Sequence, residues 1–149
     1  MKIWIVDMQG YSYHRVFLPK EVTMINLLDD QDAYFYVKSK GNWKDIPESQ
    51  MKSTYRYQFH KVHGIPWKVG TRSDIMQMMK EEGYENNDLV LVKGAEKQVF
   101  LSSMMKNVVN LDGLPSFKEL SSEKHCKNKH LNCAFTHVHA IFDHIYKHV

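Results

Sequence analysis

The sequence is poor in the features that mark secreted and membrane-spanning proteins. Its 149 residues contain two cysteines, and no apolar run approaches the roughly 18 residues that a membrane span needs. The apolar stretch that begins at Ile3 is interrupted by Asp7, and no small-residue cleavage site follows it, which argues against a signal peptide. We therefore expect an intracellular protein, cytoplasmic or nuclear, with no membrane partner. Thiols stay reduced in such compartments, so a disulfide between Cys126 and Cys133 is disfavoured.

A strong net charge and low-complexity segments are also absent. The net charge of +3 is compatible with a phosphate-bearing partner but does not require one. Apolar residues make up 43% of the chain and charged residues 25%, which are values of globular rather than disordered proteins. No internal repeat or linker-like segment divides the sequence. We therefore expect a single domain over residues 1–149, long enough to bury a core.

The first part of the sequence has the pattern of three neighbouring strands. Residues 2–8 are apolar on both alternations, which is typical of a central strand buried on both faces. Residues 22–28, which follow Pro19, and residues 33–39 are the other strand candidates. Because the segment 29–32 between them is short and polar, these two strands are predicted to form a hairpin.

From residue 71 onward, helical patterns alternate with short apolar runs. The predicted elements are a helix over 71–83, a strand over 88–92, a helix over 95–105, a strand over 108–111 and a helix over 132–147. The inner face of the last helix consists of apolar residues at helical spacing, namely Ala134, Val138, Ile141 and Ile145. Residues 41–67 show little periodicity and predict a loop with at most one short helix.

This element order predicts an α/β fold. Three antiparallel strands followed by alternating helices and strands imply a mixed five-stranded sheet flanked by helices. The same order occurs in ribonuclease H-like folds, in which the first strand carries an active-site acid at its centre, and Asp7 lies at that position. A buried carboxylate needs a cation, a hydrogen-bond donor or a solvent-filled cleft beside it. Asp7 therefore indicates either a catalytic site or a structural ion pair.

Both cysteines and six of the nine histidines lie in the segment 125–149. Within it, Cys126, His130 and Cys133 supply three ligands of the kind that tetrahedral zinc takes, and a fourth must come from elsewhere. The alternative is a pair of reduced, partly buried cysteines beside surface histidines. His137, further along the last helix, belongs either to a cleft that contacts phosphates or a metal, or to a solvated helix face.

A family resemblance extends over nearly the whole chain, from about residue 2 to residue 146. The chain contains, in this order, the segments IWIVDMQGY, FLPKEVTMIN, HGIPW, LVLVKGAEKQVFL, VVNLDGLPSFKEL and C…H…CAFTHV. This order resembles the Maelstrom domain and its transposon- and arthropod-associated relatives. These domains are similar to the proofreading-exonuclease branch of the ribonuclease H-like superfamily.

The resemblance implies both a cofactor and a partner. It implies a structural zinc ion held by one glutamate, two cysteines and one histidine, which correspond here to Glu21, Cys126, His130 and Cys133. The family pattern has two residues between the first cysteine and the histidine, whereas three stand between them here, so His125 is the alternative ligand. The resemblance further implies binding or cleavage of single-stranded RNA in small-RNA pathways that silence transposons.

The exonuclease relatives use four carboxylates to hold two metal ions, and this chain departs from that pattern. Their first strand reads Asp-x-Glu, whereas this chain has Asp7 followed by Gln9. Glu96 is the acid nearest to the expected position after the fourth strand, and His137 stands where the last helix of the relatives has an acid. Asp7, Glu96 and His137 are thus the candidate catalytic residues, and we do not expect ordinary two-metal exonuclease activity.

Three functions are consistent with these patterns. The first is a zinc-stabilised, catalytically degenerate exonuclease-like domain that binds single-stranded RNA or a protein partner in a small-RNA silencing pathway. The second is a ribonuclease that cuts single-stranded RNA with a histidine as general acid or base. The third is a protein-interaction module of a mobile element or virus, for which the fold is only a scaffold.

Overall fold

The computed structural model describes residues 1–13, 16–38, 65, 69–116, 119–120 and 133–147, which form five strands and three helices. The strands are β1 (Ile3–Tyr13), β2 (Val16–Asn26), β3 (Asp32–Tyr36), β4 (Leu89–Val92) and β5 (Val108–Asn110). The helices are α1 (Ile75–Glu81), α2 (Ala95–Ser102) and α3 (Ala134–Lys147). Apart from Ile65, the predicted loop over 41–67 lies outside the described residues, as do His125, Cys126 and His130.

The strands form one mixed sheet in the order β3-β2-β1-β4-β5. The pairs β1/β2 and β2/β3 are antiparallel, whereas the pairs β1/β4 and β4/β5 are parallel. The predicted α/β class, the five-stranded mixed sheet and the flanking helices are therefore confirmed. Asp7 lies on β1, which is the central strand of the five, as the sequence predicts.

The central position of β1 follows from the burial of both its faces. Trp4, Val6 and Met8 pack into a cluster that includes apolar side chains of α1 and α2. Ile5 points to the other face and packs against Val138 of α3. Because successive side chains of a strand point to opposite faces, the unbroken apolar run of β1 requires cover on both sides.

Helix α3 covers the face of β1 and β2 that carries Asp7. Of its predicted inner face, Ala134, Val138 and Ile141 are buried, and Ile145 is partly buried at the edge of the same cluster. His137 and His139 are also buried, which the apolar pattern alone does not predict. The start of α3 at Ala134 places the first turn of the helix over β2 rather than in solvent.

Strands β1 and β2 are longer than the sequence pattern predicts, and Pro19 lies inside β2 rather than before it. The pairing changes register at this point: Gln9 pairs with Glu21 and Gly10 pairs with Pro19, so that Lys20 is an extra residue in β2. A proline cannot donate a hydrogen bond to the sheet, and bulges are among the few places in a sheet that accept one. This bulge sets Gln9 and Glu21 opposite each other.

The remaining helices differ from prediction mainly at their ends. Helix α1 begins at Ile75, and Arg72, which precedes it, forms ion pairs with Asp74 and Glu81. The helix ends before Gly83, which has a φ of 113°.

No helix in the described part of the chain combines the length and the apolar character needed to cross a membrane.

Candidate functional site

The candidate site lies at the carboxyl end of β4, where β1 continues beyond it. The parallel pairing ends at Ile5, opposite Leu91, so Asp7 lies past the last residue pair. The chain leaves β4, turns at Gly94 with a φ of 123°, and enters α2. Crevices at the carboxyl ends of parallel strands are the usual ligand positions of α/β folds. Asp7 thus faces the first turn of α2 across such a crevice.

Asp7 is fully buried, and two basic side chains meet its carboxylate. Lys97 Nζ donates to Asp7 Oδ1 at 2.6 Å, and His137 Nδ1 lies 2.9 Å from Asp7 Oδ2. The side chains of Lys97 and His137 are 17% and 11% exposed, so the cluster is largely sealed but still touches solvent. Asp7 therefore has the cation that its burial requires.

The electrostatic balance keeps Asp7 ionised. Burial raises the pKa of Asp7, but the charge of Lys97 and the hydrogen bond from His137 together outweigh it and hold the pKa below its usual value of 3.8. An ionised carboxylate can only accept hydrogen bonds, so Nδ1 of His137 carries the shared proton. Nε2 is the other ring nitrogen, and the contact with Asp7 does not involve it.

The structure brings together two of the three predicted catalytic residues and separates the third. Gln9 stands beside the Asp7–His137 pair, with Nε2 3.4 Å from His137 Nδ1. Glu96 instead accepts a hydrogen bond from the Ser12 hydroxyl on β1. Asp7 and His137 therefore form one cluster, whereas the carboxylate of Glu96 is directed to a neighbouring part of the same strand.

Lys97 is the member of this cluster that the sequence analysis missed. It lies in the first turn of α2, directly after Glu96, the acid that the sequence predicts for this part of the site. The available signal is electrostatic: the amino end of a helix disfavours cations, so a lysine there needs a nearby anion. The sequence around Lys97 does not identify Asp7 as that anion, because the two residues are 90 positions apart in the chain.

These side chains do not fit a pair of divalent ions. A two-metal site needs several carboxylates around ions spaced about 3.5–4 Å apart. Here one carboxylate meets an ammonium, an imidazole and an amide, and each of its oxygens already has a basic partner. The cluster is suited instead to meeting the negative charge of a phosphate, or to proton transfer by His137 held in place by Asp7.

A second constellation lies one turn earlier on α3, around the buried carboxylate of Glu21. Its Oε1 accepts a hydrogen bond from the backbone N–H of Ala134 at 2.6 Å, and its Oε2 accepts one from the Tyr34 hydroxyl at 2.5 Å. The Sγ of Cys133, itself buried, lies 4.0 Å from Oε2. The bulge in β2 and the start of α3 thus bring together two of the four predicted zinc ligands.

The donors of this pair, a thiol and a carboxylate, are of the kind that zinc takes. A tetrahedral zinc ion with a thiolate at about 2.3 Å and a carboxylate oxygen at about 2.0 Å separates the two donor atoms by about 3.5 Å. The distance between Cys133 Sγ and Glu21 Oε2 is longer than this, at 4.0 Å. Hydrogen bonds from Ala134 and Tyr34 orient the carboxylate as outer partners orient metal ligands. Cys126 and His130 lie outside the described residues, and no group of three or more such ligands occurs within the described ranges.

The two constellations are mechanically connected. Cys133 directly precedes α3 and lies one turn before His137, whose backbone N–H donates to the carbonyl of Cys133 at 3.0 Å. On the sheet below them, Glu21 pairs with Gln9. An interaction that holds Cys133 against Glu21 should therefore also help to position His137 beside Asp7.

A cavity of about 1040 Å³ lies on the face of the sheet opposite to α3. Within the described residues it is bounded mainly by apolar side chains, including Phe17, Met76, Phe100 and Met104, with Glu96 also in its wall. Neither Asp7, Lys97 nor His137 lines it. A catalytic or phosphate-binding site requires polar side chains that converge on one point, so we take the Asp7 cluster and not this cavity as the candidate site.

No protein-family model matches this sequence, and neither does any curated protein.

Proposed function

We propose that this chain is a zinc-stabilised, catalytically degenerate exonuclease-like domain with a ribonuclease H-like fold that binds single-stranded RNA in a small-RNA, transposon-silencing pathway. The observation that carries the proposal is the pairing of Asp7 with Lys97 and His137. Asp7 stands where exonuclease relatives have a metal-binding acid, and its neighbours are basic. The order of segments that resembles Maelstrom domains supports the same conclusion.

Degeneracy follows from the charge of the cluster. Four carboxylates supply the negative charge that holds two divalent ions in the exonuclease relatives. In this chain Gln9 is neutral, His137 is neutral or positive, and Lys97 is positive. The total charge of these four side chains is therefore zero or above, so the cluster lacks the negative charge that holds two divalent ions in those relatives.

Binding of a phosphate chain is supported by where this charge lies. Lys97 and His137 converge at the carboxyl end of a parallel strand pair, where their side chains are 17% and 11% exposed. Single-stranded nucleic acids bind in positively charged grooves, and their affinity falls as salt rises because counterions are released. The net charge of +3 has the sign that such a partner requires.

We propose zinc as the structural element that holds the start of α3 on the sheet. Glu21 and Cys133 are the described half of the ligand set, and Cys126 and His130 are proposed as the other half, with His125 as the alternative histidine. Such a site supplies folding free energy because it connects a strand of the sheet to the start of the last helix. In this protein that helix is α3, which carries His137.

The proposal is tested by fluorescence anisotropy with labelled single-stranded and duplex RNA of equal length. The zinc-loaded protein should bind the single strand more tightly, in buffer without divalent ions. Lys97→Met should weaken binding and reduce the dependence of log affinity on log salt by about 0.7, the value of one phosphate contact on a single strand. Lys80→Met, which changes an exposed lysine on α1, is the matched control and should bind as the wild type does.

Two results would contradict the proposal. One is equal affinity for single-stranded and duplex RNA, and the other is no measurable binding by folded, zinc-loaded protein. The latter result would favour the protein-interaction module.

The Asp7–His137 contact favours one second candidate, a metal-independent ribonuclease. Asp7 holds Nδ1 of His137, which orients Nε2 for general acid or base catalysis. Cleavage of single-stranded RNA would then continue without magnesium and would depend on pH through the imidazole. His137→Gln should abolish such cleavage. RNA that remains intact across the pH range from 5 to 9, roughly two units either side of neutrality, would exclude this candidate.

A further inference from the structure

We propose that Lys97 is a resident cation of the Asp7 cleft: its ammonium group occupies the place on Asp7 that a divalent ion would need, and it offers its own charge to an RNA phosphate instead. The identity of the anion rests on the proposed function. The exclusion of a metal ion does not, because it follows from the contacts that Lys97 and His137 make with Asp7.

The first support is geometric. Lys97 Nζ is 2.6 Å from Asp7 Oδ1, which is close to the 2.0–2.6 Å, in rough terms, at which magnesium and calcium bind carboxylate oxygens. The second oxygen of Asp7 is held by His137 at 2.9 Å. A divalent ion could bind Asp7 only by displacing the ammonium group from this position.

The second support is the unfavourable place of Lys97 in its helix. The first turn of α2 contains Glu96 and Lys97, and only the acid suits the positive end of a helix dipole. Most of the Lys97 side chain is also withdrawn from solvent, which restricts a flexible chain. The contact with Asp7 offsets both costs.

The test is manganese binding to zinc-loaded protein, followed by titration calorimetry. We expect no saturable binding to the cleft of the wild type. Lys97→Glu places a second acid beside Asp7 and should bind Mn²⁺ at least about tenfold more tightly than the wild type. Lys97→Arg keeps the cation and should behave as the wild type does. Lys80→Glu makes the same charge change at an exposed site and is the control for non-specific attraction.

A second measurement does not depend on whether the variants fold. In the wild type, titration with Mn²⁺ should leave the imidazole NMR signals of His137 sharp, because no paramagnetic ion enters the cleft. Selective broadening of those signals would overturn the proposal. An equal gain of Mn²⁺ affinity in Lys97→Glu and Lys80→Glu, or no gain in a folded Lys97→Glu, would also overturn it.

Measurements of RNA binding by the same variants separate this inference from the proposed function. Lys97→Met should lower the affinity for single-stranded RNA in buffer without divalent ions, while Lys97→Arg should retain most of it. If the manganese results are as expected and the wild type binds no RNA, the proposed function fails and the resident cation stands. If RNA binds and Lys97→Met leaves its affinity unchanged, the assigned role toward the phosphate is wrong.

Discussion

His137 Nδ1 lies 2.9 Å from Asp7 Oδ2, although 130 residues separate them in the sequence. The contact joins the central strand to the last helix, so the cluster exists only while α3 is docked on the sheet. Cys133 lies one turn before His137 and meets Glu21 on β2. A structural change at the start of α3 should therefore alter the contact between His137 and Asp7.

The first prediction concerns zinc content. Protein purified without added metal should contain about one zinc ion per chain, as expected for a closed structural site. Glu21→Gln keeps the shape of the side chain but removes its charge, and it should lower both the zinc content and the melting temperature. Elemental analysis and thermal unfolding measure the two quantities.

The matched control for this change is Glu82→Gln, because Glu82 is exposed beyond the end of α1. It should retain full zinc content. Zinc-free wild type that melts at the same temperature as the zinc-loaded protein would argue against a structural role.

The second prediction concerns stability in acid. Lys97 from α2 and His137 from α3 face Asp7 and, against the effect of burial, hold its pKa below 3.8 in the folded protein. A carboxylate with a depressed pKa stabilises the fold above its unfolded pKa, and this contribution is lost as pH falls from about 3.8 through the folded value. Asp7→Asn should cost about 3–5 kcal/mol at pH 7, because it leaves a buried cation without its partner.

The measurement is urea unfolding of the wild type and Asp7→Asn at a series of pH values. The difference in free energy of unfolding should shrink as pH falls below about 4. Asp29→Asn, at an exposed turn, serves as the control. A difference that stays constant down to the lowest pH at which the wild type is folded would refute the ion-pair account.

The third prediction concerns the bulge between β1 and β2. A Cβ atom added at Gly10 would lie 2.1 Å from the backbone carbonyl oxygen of Leu18, so the strands would have to separate. Gly10→Ala should therefore destabilise the fold by at least about 1–3 kcal/mol, the usual cost of overpacking. Gly113→Ala is the control, because an added Cβ there meets nothing within 4 Å. Equal stabilities of the two variants in urea unfolding would show that the strands can adjust.

The apolar pattern predicts the parts of this fold that are decided by burial. The inner face of α3 and the two-sided burial of β1 are readable because helices and strands repeat with different periods. The length of β1 and β2 is not readable in this way. Beyond Gln9 the strands pair through Gly10, Pro19 and the extra residue Lys20, and their pairing depends on a bulge rather than on an alternation of side chains.

Some residues of the candidate site can likewise be predicted from the sequence, whereas others cannot. Asp7 is conspicuous in the sequence because a single acid interrupts an apolar strand. His137 is a candidate from its position on the last helix, and the family resemblance places it where relatives have an acid. Lys97 was missed because its role depends on a long side chain that crosses from one element to another. Glu21 was named by resemblance alone, and its approach to Cys133 depends on the bulge in β2.

The central claim is that the Asp7 cluster binds single-stranded RNA without two-metal catalysis. Its most direct test is incubation of the zinc-loaded protein with end-labelled single-stranded RNA, with magnesium or without divalent ions, followed by native and denaturing gels. The account predicts a complex on the native gel and intact RNA on the denaturing gel in both buffers. Rapid degradation that requires magnesium and disappears in Asp7→Ala would contradict it, because the cluster would then be a working metal-dependent nuclease.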